Sequence, residues 1–153
     1  MDQSIRNLER ASVEDPTLLS ELKRRKIRDG LEELESFKDY LVREKPDALS
    51  RRTYNTPVSF GDSGWMMSIQ CSSFHYSSPR EDLEDPKAYS SYELALCTPT
   101  GLRRPPEGCP HADCFEPNWS PVAGYLTADQ IQDIFRYMYL NYGEPATLQR
   151  EEE

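Results

Sequence analysis

The chain has few of the residues and patterns that several classes of protein require. It carries 18 lysine and arginine residues against 27 aspartate and glutamate residues, a formal net charge of −9. It therefore lacks the excess of cations with which nucleic-acid-binding proteins neutralise phosphates. No apolar run approaches the roughly 20 residues of a membrane-spanning helix, and Met1–Arg6 lacks the basic and then apolar order of a secretion signal. We therefore expect a soluble, cytoplasmic protein that binds neither nucleic acid nor membrane.

Cysteine and histidine are scarce, with four and two residues respectively, which limits both catalysis and metal binding. In a reducing compartment the cysteines would be thiols or metal ligands rather than disulfides. In an extended segment Cys71 and Ser73 would lie about 13 Å and about 7 Å from His75, beyond hydrogen-bond reach. Local spacing does not form a catalytic pair, so the sequence favours a protein that is not an enzyme.

One group of thiols and an imidazole suits a metal. Cys109, His111 and Cys114 stand close together in a long proline-bearing loop, and Cys97 precedes that loop. Thiolates and neutral imidazole are the ligands of tetrahedral structural zinc, but this spacing matches none of the common finger patterns. Two interpretations therefore stay open, unmetallated thiols with no required cofactor or a structural zinc. The candidate zinc ligands are Cys97, Cys109, His111 and Cys114.

Helix signals occur at both ends of the chain. Asp15 is a candidate cap for a long helix whose apolar residues recur at three- and four-residue steps to about Lys45. Gly30 interrupts this pattern, so a kink or two helices is the alternative. Near the other end, Thr127–Gln130 is a capping box that predicts a helix over residues 127–142.

Strand patterns fill the middle of the chain. Apolar and polar residues alternate over Trp65–Phe74, Tyr89–Cys97 and Val122–Leu126, and Val58–Phe60 suggests a short edge strand. The sequence therefore predicts a single α+β domain, with the C-terminal helix packed on a small antiparallel sheet of three to five strands. The expected divisions are a domain over residues 1–143, with helical part 15–45, sheet and loops 54–126 and helix 127–142, and a flexible acidic tail over residues 144–153.

The segment from Gly64 to Arg80 is the best candidate for a binding site. It begins as an alternating strand and ends with rings and a cation among hydroxyl side chains. Aromatic faces attract cations and stack on flat groups, and guanidinium groups chelate phosphate, so a flat anionic ligand such as a nucleotide is suited. An ordinary solvent-facing sheet surface is the alternative. The predicted ligand-binding residues are Gln70, Ser72, Phe74, His75, Tyr76, Arg80, Tyr92 and Arg104.

The order of three segments resembles a known layout. Ser68–Arg80, then Tyr89–Leu96, then Val122–Leu126 before a terminal helix resembles small bacteriophage accessory proteins that counter host defence. Among these the chain is similar, over about half of its length, to the anti-Thoeris sponge proteins. The resemblance implies an oligomer in the host-cell cytoplasm that sequesters cyclic ADP-ribose signals without hydrolysing them.

Two functions therefore lead as expectations, and an enzyme stays a third alternative only through the possible metal loop. The first is a non-enzymatic phage anti-defence protein that binds a cyclic nucleotide or a cyclic ADP-ribose-type signal and assembles as a homo-oligomer. The second is an acidic protein–protein inhibitor that occludes a host defence effector such as a nuclease, favoured by the net charge of −9 and the acidic tail.

Overall fold

The computed structural model describes residues 16–117 and 121–147. These residues divide into two compact units, with the boundary between Glu35 and Ser36. The single domain predicted over residues 1–143 stays a prediction. The candidate cap Asp15 and residues 148–153 of the predicted tail lie outside the described residues.

Among the described residues of the first unit there is one helix, α1 (Pro16–Arg28). It ends because Gly30 adopts a positive φ of 74° and the Leu31 N–H donates to the Lys26 carbonyl at 2.8 Å, a hydrogen-bond pattern typical of a helix C-terminus. The prediction that the helix continues to Lys45 is therefore wrong. After Arg28 the only further helical segment up to residue 45 is a 3₁₀ turn at Phe37–Tyr40, in the second unit.

The second unit contains an antiparallel sheet, which has six strands among the described residues. The spatial order is β4–β3–β2–β1–β6, and β5 also pairs with β3. Because β2 occupies one edge of β3 along its length, β4 and β5 share the opposite edge. The strands are β1 (Val58–Phe60), β2 (Met66–Gln70), β3 (Ser91–Thr98), β4 (Gly101–Arg103), β5 (Val122–Thr127) and β6 (Pro145–Thr147).

Helix α2 (Ala128–Tyr142) begins at the predicted capping box. The Gln130 N–H donates to the Thr127 hydroxyl at 3.2 Å, and the Thr127 N–H donates to the Gln130 side chain at 3.0 Å. The buried face of α2 packs on the sheet, with the Phe135 ring centroid 5.7 Å from that of Phe60. The α+β class and the packed C-terminal helix are confirmed.

The strand count exceeds the predicted three to five because β4 (Gly-Leu-Arg) and β6 (Pro-Ala-Thr), unlike β1 (Val-Ser-Phe), do not place a polar residue between two apolar ones. Strand β6 also corrects the predicted tail, since residues 145–147 pair with β1. Neither helix in the described part of the chain is long and apolar enough to cross a membrane.

Candidate ligand-binding site

Gln70, the last residue of β2, pairs with β3 through its backbone and binds the backbone of Asn55 through its side-chain amide. The Gln70 Nε2 donates to the Asn55 carbonyl at 2.8 Å, and the Asn55 N–H donates to the Gln70 Oε1 at 2.7 Å. Gln70 is buried. Strand alternation predicted that this side chain faces a ligand, but its polar atoms instead bind the backbone of a segment 15 residues earlier.

Arg43 joins that strand end to the loop before β3. Its Nη1 donates to the Asn55 Oδ1 at 3.0 Å and to the Cys71 carbonyl. Its Nη2 donates to the Leu83 carbonyl and to the Tyr89 hydroxyl, both at 2.9 Å. One guanidinium therefore ties together four segments that the sequence separates by up to 46 residues. Nothing in local periodicity marks such a contact.

A tight turn over residues 72–77 places the first predicted site residues. The Ser72 hydroxyl accepts the Phe74 N–H at 3.2 Å and lies 2.6 Å from the His75 Nδ1. The Ser77 hydroxyl accepts the Ser72 N–H and donates to the Ser72 carbonyl, both at 3.2 Å. Because the chain turns, a serine three residues before His75 reaches the ring, whereas an extended chain would hold them apart. Ser72, His75 and Ser77 are all buried.

His75 is neutral at physiological pH. Burial, followed by the nearby charge of Arg43, lowers the pKa of His75 to about 4, although Asp82 acts in the opposite direction. The His75 Nε2 lies 3.9 Å from the Glu93 Oε2, and burial raises the pKa of that carboxyl. The short contact between the Ser72 hydroxyl and Nδ1 holds the ring so that Nε2 faces the Glu93 carboxyl group. The contact between Nε2 and this carboxyl group is therefore a polar interaction of neutral imidazole rather than an ion pair.

Tyr76, which follows His75 in the chain, belongs to an exposed cluster of two rings and a cation that we call the Tyr76 group: Tyr76, Arg80 and Tyr125. The Arg80 guanidinium is 5.3 Å from the Tyr76 ring centroid, and the two tyrosine rings are 5.9 Å apart. Tyr76 and Tyr125 remain 52% and 50% exposed. Both residues are therefore accessible to a ligand. Burial raises the pKa of Glu93 and the Tyr76 N–H acts in the opposite direction, which links this surface to the carboxyl that faces His75.

The local backbone is shaped to bring the two tyrosines together. The Tyr125 N–H donates to the Tyr76 carbonyl at 2.9 Å, and Tyr125 adopts a positive φ of 54°, which is an uncommon conformation for a bulky residue. A Cβ at Gly124 would lie 2.9 Å from the Cβ of Tyr76, so only glycine allows this approach. Strained residues of this kind cluster at functional sites. Glycine within a predicted strand was the available signal for Tyr125, because it marks a close backbone approach.

Phe74 lies in a different group. Its ring centroid is 4.0 Å from that of His75 and 5.4 Å from that of Tyr54, and the Arg52 guanidinium is 5.0 Å from the ring. Tyr54 also contacts His75. Phe74 and Tyr76 thus pack with different partners, and the single aromatic set predicted from sequence forms two clusters.

Tyr92 and Arg104 do not join either cluster. Tyr92 is fully buried, its hydroxyl donates to the Pro86 carbonyl at 3.0 Å, and its ring meets Phe37 edge to face at 5.5 Å. Arg104 is exposed after β4 and donates to the Pro117 carbonyl at 2.7 Å. The first residue is part of the core, and the second stabilises the loop that follows β4.

A separate open cleft of about 580 Å³ lies beside the loop that precedes β3. None of the predicted ligand-binding residues lines it. The cleft is bounded by the segment around Asp47 on one side and by residues 82–84 on the other. Its lining residues are Arg43, Glu44, Pro46, Asp47, Ala48, Arg51, Thr53, Asp82, Leu83 and Glu84.

The four candidate zinc ligands occupy unlike surroundings. Cys109 is buried and burial raises the pKa of its thiol to about 11, whereas Cys114 is exposed. Cys97 lies in β3 and its Sγ approaches the Met66 carbonyl at 3.8 Å. The His111 Nε2 is 2.8 Å from the Asp133 Oδ2. Among the described residues no three His, Cys, Asp or Glu side chains are placed to share one metal ion. A structural zinc stays a prediction that elemental analysis of the purified protein can test.

Comparisons of the chain with protein-family models, with curated proteins and with solved structures found no match.

Proposed function

We propose that this protein captures a nucleotide-derived ligand on the Tyr76 group without cleaving it. The observation that carries the proposal is an exposed arginine held against one of two half-exposed tyrosines, one of them in a strained backbone conformation. A ring face that stacks on a base contributes about 1 to 3 kcal/mol, and a guanidinium adds charge-assisted hydrogen bonds to phosphate. The tyrosines would hold the flat part of the ligand and Arg80 its anionic part.

The surroundings of His75 support capture rather than hydrolysis. A serine nucleophile must reach its substrate, but the Ser72 side chain is fully buried. Its hydroxyl also accepts the Phe74 N–H, so it is held in the turn. The Ser72–His75 contact is accounted for by the folding of the loop that presents Tyr76.

The resemblance to sponge proteins suggests which ligand is bound and why. The ligand would be a cyclic nucleotide or a cyclic ADP-ribose-type immune signal, and its removal would block a host defence pathway. The host-cell cytoplasm and a bacteriophage origin belong to the same proposal.

Calorimetric titration with cyclic mononucleotides, cyclic dinucleotides and cyclic ADP-ribose isomers tests this function. We expect binding of at least one compound, and a loss of affinity of about 10-fold or more in Arg80→Ala, since hydrogen bonds to a charged group contribute about 1.5 to 3 kcal/mol. The matched control is Arg104→Ala, an exposed arginine away from the Tyr76 group, which should bind as the unmodified protein does. Absence of heat with every compound would contradict the proposal.

A second candidate function is favoured by one further observation. Residues 81, 82, 84 and 85 are four carboxylates in an exposed run directly after Arg80. Such a surface would suit an acidic inhibitor that covers a basic site on a host effector such as a nuclease. Because exposed charge pairs are screened over about 8 Å at physiological ionic strength, that interaction should weaken steeply with salt. Stacking of a ligand on the Tyr76 group should depend on salt much less.

A further inference from the structure

A rigid turn between the 3₁₀ helix and β1 displays an isolated leucine. The Asp47 N–H donates to the Arg52 carbonyl at 3.0 Å, and the Arg51 N–H donates to the Asp47 carbonyl at 2.8 Å. The Asp47 carboxylate accepts the N–H groups of Leu49 and Ser50, both at 2.9 Å. These bonds lower the pKa of Asp47. We call this element the 47–52 turn, and its hydrogen bonds fix the position of its tip.

Leu49 stands at that tip and is 97% exposed, more than any other large apolar side chain among the described residues. A single exposed leucine is common on protein surfaces. This one differs because the backbone that carries it is hydrogen-bonded on both sides, so little conformational freedom would be lost when the side chain entered a partner. The tip is therefore preorganised for insertion.

The cleft of about 580 Å³ lies against the same turn. Its apolar lining comes from Pro46, Ala48 and Leu83. The Leu83 wall is held in place because Arg43 donates to the Leu83 carbonyl at 2.9 Å and the Leu83 N–H donates to the Tyr89 hydroxyl at 2.8 Å. The molecule thus presents an apolar side chain next to a recess in which these three apolar residues are surrounded by charged ones.

The 47–52 turn and the facing wall of the cleft carry charges of opposite sign. Arg51 belongs to the turn, whereas Glu84 and Asp82 belong to the facing wall of the cleft. Within the described part of the chain, neither Arg51 nor Glu84 forms an ion pair. A second copy rotated by a two-fold axis would bring the arginine of each turn to the acidic wall of the other copy. A self-complementary patch of this kind is what a two-fold dimer interface requires.

We propose that this protein forms a two-fold dimer in which each 47–52 turn inserts Leu49 into the cleft of the other copy. The 47–52 turn and the 82–84 wall form the interface, and Arg51 of each copy pairs with Glu84 of the other. A contact built from one turn and one cleft is small, so the dimer forms reversibly and its population depends on concentration.

Sedimentation equilibrium of the full chain over a range of concentrations tests the dimer. The unmodified protein should show a monomer–dimer equilibrium, and Leu49→Asp should shift it to monomer by about 10-fold or more in Kd, because a carboxylate would replace the leucine and meet the acidic wall of the recess. Leu102→Asp, which changes the exposed leucine of β4, is the matched control and should associate as before. Circular dichroism checks that both variants are folded. A protein that stays monomeric up to about 1 mM would overturn the proposal.

A charge exchange tests the geometry independently of Leu49. In Arg51→Glu alone or Glu84→Arg alone, both contacts of a dimer bring like charges together, so each variant should be monomeric. In an equal mixture of the two variants, both contacts pair opposite charges, so a heterodimer should form. Failure of the mixture to associate better than either variant alone would overturn the proposed pairing. Association of the unmodified protein that neither Leu49→Asp nor the charge variants affect would place the dimer interface elsewhere and would also overturn it.

Discussion

The loop after β2 has two sides that share a composition but not a role. On the inner side, the polar atoms of Ser72, Ser77 and His75 find partners within the protein. On the outer side, Tyr76 and Arg80 expose ring and guanidinium to solvent and contact each other. The sequence pattern of aromatics, hydroxyls and arginine alone does not separate the two sides. Whether a polar atom has an internal partner is what distinguishes a residue that builds the loop from one that could bind a ligand.

The division of this loop into a structural inner side and an exposed outer side is tested most strongly at Arg43. Arg43→Ala would leave the Asn55 side chain, the Cys71 and Leu83 carbonyls and the Tyr89 hydroxyl without this donor. We expect a loss of about 3 kcal/mol or more in the free energy of unfolding, because several polar groups lose their partner at once. The shift of the midpoint in urea unfolding measures it. Arg80→Ala is the control on the outer side and should stay within about 0.5 kcal/mol. Equal losses in both variants would contradict the division.

The second effect is a dependence of stability on pH through His75. The pKa falls from 6.5 to about 4 on folding, so the unfolded chain binds a proton that the folded protein does not. The contribution is fully present above about pH 6.5 and is lost as the pH falls towards about 4, an effect of about 3 kcal/mol. Urea unfolding at several pH values should show this loss, and His75→Gln should remove it, whereas His111→Gln should retain it.

Glu93 acts in the opposite direction in the acidic range. Burial raises the pKa of Glu93, so its contribution is present below pH 4.5 and is lost as the pH rises through the raised value. Introducing Glu93→Gln both with His75 present and together with His75→Gln removes this contribution to the pH dependence. If the stability of Glu93→Gln stayed flat between pH 6.5 and 4, His75 would not be the buried neutral group described above.

A smaller effect is expected at Gly124. The added Cβ of Gly124→Ala would lie 2.9 Å from the Cβ of Tyr76, which cannot move without shifting the loop. Overpacking of this kind costs about 1 to 3 kcal/mol. Gly101→Ala is a control, because a Cβ there meets nothing within 4 Å, although its positive φ of 125° carries its own strain. Beyond stability, Gly124→Ala should weaken ligand binding in the calorimetric titration, since it displaces Tyr76 from Tyr125.

The smallest expected change in the free energy of unfolding is at Tyr125, where a substitution should affect ligand binding but not stability. Asparagine tolerates the positive φ of this position better than a bulky ring does. Tyr125→Asn should therefore leave the free energy of unfolding unchanged or raise it by up to about 1 kcal/mol. The same variant should lose affinity for the ligand, because one stacking surface is gone. A clear loss of stability would mean that Tyr125 is held for packing rather than for binding.

Elements with regular periodicity were predictable from the sequence. Val58–Phe60 has the predicted bounds, and the Thr127–Gln130 capping box begins the C-terminal helix. The end of α1 was not predicted, since apolar spacing continues past Gly30 although the backbone there turns to positive φ. Local periodicity reports which face of an element is apolar but does not report where the chain leaves that element.

The candidate site was predictable only in part, for the same physical reason. Tyr76 and Arg80 were named from composition, and the structure brings them together. Gln70 was named because alternation places it on the polar face, but Asn55 binds its amide inside the protein. Tyr125 was missed as a site residue because it comes from a strand 49 residues after Tyr76, and only the fold unites them. Contacts between distant segments decided each of these outcomes.

We expect a nucleotide-derived ligand to bind the outer side of the loop and to leave the inner side unchanged. Nuclear magnetic resonance of tyrosine ring protons during titration with the cyclic nucleotides and cyclic ADP-ribose isomers tests it most directly. The resonances of the Tyr76 and Tyr125 rings should shift, while those of the buried Tyr89 and Tyr92 should not. Shifts confined to other tyrosines, or none with any compound, would contradict it.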